Sequence, residues 1–405
     1  MLRTDIKSMT TDSTGLPRPL LNAFRRAFPG SAPDVFVRAP GRVNLLGGHV
    51  DMHEGPVINI AINREIWLAA AYGSADLVRL HAVDLNESTT LSLQRLEDRT
   101  DIVGDELPRW ARYPAGVAWA LQQRGLKVNG INAVFLGDVL MRAGLSSSAA
   151  VEMAFAIAWQ ALESWRLDLS KLALVGQSAE REYMRLGSGI QDQFTSLHAR
   201  AGHMFYLDCR SLDHSHPIFP ATAQVVVCDT NTRRELVGSN YNGRARDAHE
   251  AAHTISLVDT NVKTLRDVSL SRLEDFENIL SEDQFRRARH VITEIARVQQ
   301  GLNALKASDM AAFGRLMNES YRSARDDYGS SSDALDAMWD AATQHPGCYG
   351  ARYSGGGEAG AIVALVDVAT VDDFMTQTAA RYQQNSGLDG NFFAVDPAES
   401  AGIFL

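Results

Sequence analysis

Short apolar runs that alternate with helix-patterned stretches predict a chain of mixed α and β structure. No internal repeat, heptad run or low-complexity segment interrupts that alternation. Size is the third observation: 405 residues, 45% apolar and 22% charged, suffice for two lobes, each with its own core, and a cleft between them.

Residues 34–38 and 57–61 predict strands on either side of a glycine-bearing loop, and residues 65–72 and 78–82 a strand pair linked by Gly73-Ser74-Ala75-Asp76. Residues 113–123 read as a helix and 130–136 as a strand. A stronger helix spans 148–162, because Val151, Phe155, Ala158 and Leu162 recur on one face. Residues 204–207 and 225–228 predict strands, a largely helical stretch runs from about 243 to 338, and 361–366 is the last strand expected. The aperiodic segment 214–220, with Pro217 and Pro220, marks the expected boundary between lobes 18–213 and 214–405.

A formal net charge of −10 argues against a nucleic-acid partner, since that role needs clustered Lys and Arg to neutralise phosphates. Arg233-Arg234 and Arg286-Arg287-Ala288-Arg289 are short runs, and the second reads as a solvated face. Cys209, Cys228 and Cys348 show no CxxC pairing, so neither a disulfide framework nor a zinc site is expected, which fits a reducing compartment. The first residues lack an apolar signal region and no stretch reaches about 18 apolar residues, so the expectation is a cytoplasmic protein without membrane spans.

Four segments concentrate chemistry. Residues 137–150, GDVLMRAGLSSSAA, lie between a predicted strand and a predicted helix. Exposed N–H groups and the positive end of a helix dipole there attract phosphate, and a serine hydroxyl can ligate Mg²⁺. Taken alone, a serine N-cap cluster without a ligand fits this segment better, and the Walker pattern is absent. Residues 38–61 concentrate Arg42, His49, Asp51, His53 and Glu54 between two strands, a density that suits a ligand-lining loop. The His49 to His53 spacing is not HExxH, because Val50 stands where the glutamate belongs. Residues 186–197, LGSGIQDQFTSL, place Asp192 in a tight, partly apolar setting suited to a general base, although a solvated or capping role explains it as well. Residues 350–360, GARYSGGGEAG, contain GxGxxG before a strand rather than a helix, so close backbone approach replaces the dinucleotide reading.

In this order the segments resemble the GHMP kinase family, whose signature regions match 38–61, 137–150 and 350–360. Residues 189–194 (GIQDQF), 206–212 (YLDCRSL), 231–244 (NTRRELVGSNYNGR) and 323–328 (SARDDY) look like segments of its galactose-phosphorylating branch. The resemblance implies an α+β fold of two lobes, the N-terminal one like ribosomal protein S5 and the C-terminal one ferredoxin-like, with ATP and sugar between them. It implies a sugar 1-kinase that uses ATP and Mg²⁺. Asp192 would take or orient the proton of the anomeric hydroxyl, and Arg42 would stabilise charge on the transferring phosphoryl group. Gly144, Leu145, Ser146, Ser147 and Ser148 would wrap the phosphates, and Ser148 and Glu180 would hold Mg²⁺. Asp51, His49, Tyr241 and the backbone of Gly189 would hold the sugar, beside Arg42, Gly48 and Asp192. A monomer or weak homodimer without nucleic-acid or membrane partners is expected.

One departure bears on the substrate. The branch usually reads GEHTDY, and here Gly48 replaces the glutamate that binds the carbon-6 hydroxyl. Losing one charge-assisted hydrogen bond costs about 1.5–3 kcal/mol, so the resemblance leaves galacturonate or arabinose as an alternative to galactose. Met52, Asn59 and Glu358-Ala359 also depart from the family pattern, and Arg233 or Arg234 is a weaker candidate for meeting a substrate carboxylate, surface placement being the simpler expectation. A non-catalytic sugar sensor on the same fold is a second reading, opposed by the joint presence of Arg42, Ser148, Glu180 and Asp192, and an ATP-dependent decarboxylase related by fold is a third, opposed by the intact segments GSNYNGR and GIQDQF.

Overall fold

The computed structural model describes residues 15–233 and 240–404 and arranges them around two β-sheets with helices packed against them. The first sheet holds β1 (Val35–Leu46), β2 (Pro56–Tyr72), β3 (Leu77–Ala82), β4 (Glu87–Ser92), β5 (Ile131–Gly137), β6 (Phe205–Asp208) and β7 (His214–Ser215). The second holds β8 (Ala223–Asp229), β9 (Cys348–Tyr353), β10 (Ala361–Asp367) and β11 (Asn391–Val395), in the antiparallel order β11-β8-β10-β9. β12 (Gly402–Ile403) then returns to pair with β1, giving the first sheet the main order β12-β1-β2-β5-β3-β4. The helices are α1 (Arg18–Ala27), α2 (Arg109–Gln123), α3 (Ser147–Leu162), α4 (Leu169–Ser178), α5 (Gln191–His198), α6 (Tyr241–Ser256), α7 (Glu282–Lys306), α8 (Met310–Ser323), α9 (Asp333–Thr343) and α10 (Val371–Ser386).

Local chemistry explains several boundaries. Asp168 caps α4 through Lys171 N at 2.8 Å, and Ser281 and Gln284 form a reciprocal capping box at the start of α7. Gly387 ends α10 with a left-handed φ of 71°. α3 is almost entirely buried and rich in alanine, which lets it lie close against β1 and β2.

Several expectations change. Residues 57–61 and 65–72 belong to the single strand β2, and β2 does not pair with β3. β5 lies between them, antiparallel to β2 and parallel to β3, while Gly73 N and Gly130 O, 2.9 Å apart, stitch the intervening turn to the start of β5. Residues 361–366 are not the last strand, because β11 and β12 follow. Nor are the cores separate. Val225 and Val227 on β8 join the large cluster that continues under the first sheet, while Val226 and Cys228 face a smaller cluster against α9 and α10. Alternating side chains of one strand thereby serve two layers.

The Arg286–Arg289 run is not a solvated face. Arg287 is buried and donates to the carbonyl of Asp327, Arg286 donates to that of Asp326, and Arg289 pairs with the Asp327 carboxylate. This clamps the single wide turn Ala324–Tyr328 onto α7. All three cysteines are free, and Cys209 and Cys228 are buried. No helix among the described residues is long and apolar enough to cross a membrane.

Candidate active site

A cavity of about 660 Å³ opens where the loop after β1, the loop before α3, the start of α5, the start of α6 and the glycine loop before β10 converge. It gathers the residues singled out above from segments far apart in the chain: Arg42, Gly48, His49 and Asp51; Gly144 through Ser148; Glu180, Gly189, Asp192 and Tyr241.

At its centre Arg42, from β1, bonds Asp192 on the first turn of α5. Nε meets Oδ1 at 2.8 Å and Nη2 meets it at 2.7 Å, while Nη1 donates to Gly144 O at 2.7 Å. Arg42 is only 5% exposed, so this fork is preorganised rather than floating in solvent. Ser146 Oγ donates to the other Asp192 oxygen, Oδ2, at 2.6 Å. That side chain is spent on Asp192, and no side chain caps the first turn of α3. The N-cap reading of the serine cluster therefore fails, and the loop retains backbone donors at a helix start.

The glycine loop before β10 backs this segment. A Cβ on Gly144 would lie 1.9 Å from Ser354 O, and one on Gly355 would lie 2.6 Å from Gly144 Cα. The two loops can touch only because both lack side chains there. Ser354 Oγ donates to Gly144 O at 2.9 Å and closes the contact.

Glu180 is buried, and its pKa is raised by burial and then by the charge of Asp192, against hydrogen bonding with neighbours that include Ser148. Nearby Glu152 is also buried and pushed well upward by desolvation, with Gln193 Nε2 donating to its Oε2 at 2.9 Å. No group of three His, Cys, Asp or Glu stands in metal-ligand arrangement among the described residues.

At the other end, His49 adopts a left-handed φ of 61° and stacks on Tyr328, with ring centroids 4.3 Å apart and planes 17° from parallel. Its Nε2 lies 2.8 Å from Tyr353 Oη, and burial holds its pKa well below the usual value. Asp51 takes the Gln191 amide at 3.4 Å and has its pKa pushed up to about 6, by burial first and the Asp192 charge second. Gly189 packs directly on that carboxylate, where a Cβ would lie 1.9 Å from Oδ2. Tyr241 opens α6, its hydroxyl 3.4 Å from Gly187 O.

Gly48 lines the cavity, but its missing side chain points elsewhere: a Cβ would lie 2.1 Å from Nη2 of buried Arg352. Arg233 is exposed, as expected, at the border of the cavity, with its guanidinium held by buried Asp229 at 2.6 and 2.7 Å. Arg234 lies outside the described residues. Asn59 bridges Asn44 at 2.7 Å and Thr195 at 2.8 Å, which accounts for a polar residue in a buried strand.

Sequence reasoning missed an aromatic end of the cavity formed by Leu85, Trp110, Tyr113 and Met141, where Trp110 Nε1 donates to Glu87 Oε2 at 2.5 Å. The available signal is the Trp-Ala-Arg-Tyr run at the start of α2, ahead of the helix expected over 113–123. Also missed was the buried pair of Arg244 and Glu358, 2.6 Å apart, which ties α6 to the glycine loop.

Comparison with known proteins agrees with this geometry. The galactokinase galactose-binding signature matches residues 22–72, the GHMP kinase N-terminal domain 112–200 and the GHMP kinase C-terminal domain 302–380. The chain is 37% identical to the galactokinase of Roseiflexus sp. (strain RS-1), over 92% of this chain and 94% of that one. It is 36% identical to the galactokinase of Homo sapiens, over 94% and 95% respectively. The crystal structure of Lactococcus lactis galactokinase complexed with galactose superposes with a TM-score of 0.88 at 26% identity, covering 95% of this chain and 98% of that one. Methanococcus jannaschii mevalonate kinase, at 15% identity and a TM-score of 0.60 over 91% and 99% of the two chains, shares the fold.

Proposed function

The chain belongs to the galactokinase family of GHMP kinases, and we infer from this that it transfers the γ-phosphoryl group of ATP to the anomeric hydroxyl of galactose. The observation that carries the reading is the Arg42–Asp192 fork, set between a glycine–serine loop and a pocket of hydroxyl-binding groups.

Phosphoryl transfer needs in-line positioning and charge neutralisation more than covalent help from the protein. Asp192 is the base or proton-orienting group. Its Oδ2 is held by Ser146 and its Oδ1 by Arg42, so the anomeric hydroxyl displaces the serine proton and leaves the arginine fork intact. The sugar oxygen then attacks the γ-phosphorus, its proton passes to Asp192, and ADP departs. Arg42 neutralises charge on the transferring group, and the backbone N–H groups of Gly144–Ser148 hold the phosphates. The aromatic patch of Trp110 and Tyr113 suits a nucleobase, offering flat apolar faces on the cavity wall.

Ser148 and Glu180 are proposed to hold Mg²⁺. They fit it: both offer oxygen, and a buried carboxylate with a raised pKa is one whose ionised form lacks a cation. When bound, the ion neutralises phosphate charge. Among the described residues no third acidic or imidazole ligand stands with them, so phosphate oxygens and water would complete its shell. Asp51, His49, Tyr241 and the Gly189 backbone are proposed to hold the sugar, with Asp51 accepting bonds from ring hydroxyls.

Galacturonate or arabinose is less well supported, since relatives named galactokinase match the chain over nine-tenths of its length. The missing glutamate at Gly48 also leaves no open space, because Arg352 fills it. From the family membership we propose a monomer or weak homodimer working in the cytoplasm. An ADP-release assay with Mg-ATP across galactose, galacturonate, arabinose and fucose tests the reading. Galactose should lead in kcat/KM; turnover led by galacturonate would transfer the assignment to a uronate kinase, and no turnover with any sugar would favour the sensor.

A further inference from the structure

Glu294 on α7 is wholly buried, and its four hydrogen-bonding partners come from its own helix, from α8 and from the distant Gly47–Gly48 loop. Oε2 takes Arg297 Nε at 2.7 Å. Oε1 takes the Ser320 hydroxyl at 2.6 Å and the backbone N–H groups of Gly47 at 2.8 Å and Gly48 at 3.1 Å. Burial alone would neutralise the carboxyl, but the charges of Arg297 and Arg352 hold its pKa well below the usual range. One turn earlier on the same helix, His290 Nε2 lies 3.1 Å from Gly48 O. A carbonyl only accepts, so Nε2 carries the proton. α7 therefore grips both amides and one carbonyl of the Gly47–Gly48 backbone.

Neither Glu294 nor His290 lines the cavity, but the residues that follow the gripped segment, His49 and Asp51, do. The grip falls on a segment with two left-handed residues, φ being 91° at Gly47 and 61° at His49, a conformation that only the second, non-glycine residue resists. Without an external hold, such a segment would relax toward commoner conformations and carry His49 and Asp51 with it.

We propose that Glu294 is a positioning residue for the sugar half of the site: its carboxylate holds the Gly47–Gly48 backbone so that His49 and Asp51 meet the substrate hydroxyls. The proposal rests on the galactokinase reading above. It also gives a reason for a charge at this place. One carboxylate oxygen accepts three donors while the other faces Arg297, whereas a glutamine would turn an N–H toward one of those donors.

The test is steady-state kinetics on Glu294→Gln, with His290→Ala as a second variant that removes the carbonyl anchor and Ser320→Ala as a control that spares both glycine amides. Expected is a rise in KM for galactose of about tenfold or more in Glu294→Gln, with KM for ATP within about twofold of wild type. His290→Ala should shift the same way, and Ser320→Ala should move the galactose KM by less than about threefold. A purely structural role would raise both KM values together or lower kcat alone, and either result overturns the proposal. So does an unshifted galactose KM in a folded Glu294→Gln, or in His290→Ala should Glu294→Gln fail to fold. A wild-type enzyme that releases no ADP with galactose would overturn the functional reading and this inference with it; normal wild-type turnover with unshifted variants would overturn this inference alone.

Discussion

Asp192 and Asp51 face the same cavity under opposite electrostatic conditions. Asp192 has one oxygen on the Arg42 guanidinium and the other on the Ser146 hydroxyl. Asp51 sits beside Gly189, takes a long bond from the Gln191 amide, and is desolvated enough for its pKa to reach about 6. A carboxylate forked by a guanidinium is held in one orientation, which suits a place where charge moves. A carboxylate deprived of water gains by accepting hydrogen bonds from a neutral ligand, because those bonds replace lost hydration. On the proposed reading, this difference separates chemistry from recognition.

The sharpest way to break the distinction is kinetic. Asp192→Asn should lower kcat by about 10²–10⁴ with little change in galactose affinity, on the scale of general-base loss. A near-normal kcat measured by ADP release would remove Asp192 from the chemical step. Asp51→Asn should do the reverse, raising the galactose KM about 10- to 200-fold, equivalent to about 1.5–3 kcal/mol. If kcat fell more than KM rose, the division of labour would be wrong.

The same aspartate supplies a stability test of known sign. Its folded pKa of about 6 lies above the model-peptide value of 3.8, so the folded state holds this proton more tightly than the unfolded chain. Wild-type stability should therefore gain as pH falls from about 6 toward 4, and the ionised group costs the fold on the order of 3 kcal/mol at pH 7. Thermal melts should show Asp51→Asn more stable than wild type at pH 7, with the advantage vanishing near pH 4. The galactose KM of wild type should rise as pH drops through 6; a flat profile would mean that a neutral Asp51 binds sugar equally well.

On the phosphate side, Glu180→Gln should raise the Mg²⁺ concentration needed for half-maximal activity by about tenfold or more while leaving galactose binding alone, as an Mg²⁺ titration at fixed ATP would reveal. The smallest expected effect lies at the opposite end. Gly48→Ala drives a Cβ against Arg352 and should cost about 1–3 kcal/mol of stability by overpacking, read as a lower Tm. An unchanged Tm would show that the Arg352 guanidinium yields freely, and Gly48→Glu would then become a fair test of sugar preference.

The residues proposed to carry chemistry were legible because their local company is unusual. Ser146 to Ser148 stand between an apolar strand and an apolar helix, and Asp192 follows two glycines in LGSGIQDQF. Much of the sheet order was not legible. The turn at 73–76 looks like a hairpin, yet β5 enters between β2 and β3, because register depends on which faces bury together and not on closeness along the chain. The Arg286–Arg289 run looks solvated, since nothing local announces that the turn Ala324–Tyr328 will present its carbonyls to it.

By itself, then, the sequence determined the mixed α and β class, the kinase family and the side chains available to the site, since those follow from local periodicity and from motif residues read in order. Only the tertiary structure decided that Arg352 occupies the space beside Gly48, that Glu294 holds the segment before His49 from 247 positions away, and that Asp51 is desolvated while Asp192 is paired. Each of these depends on contacts between distant segments and on the exclusion of water, and neither exists until the chain has folded.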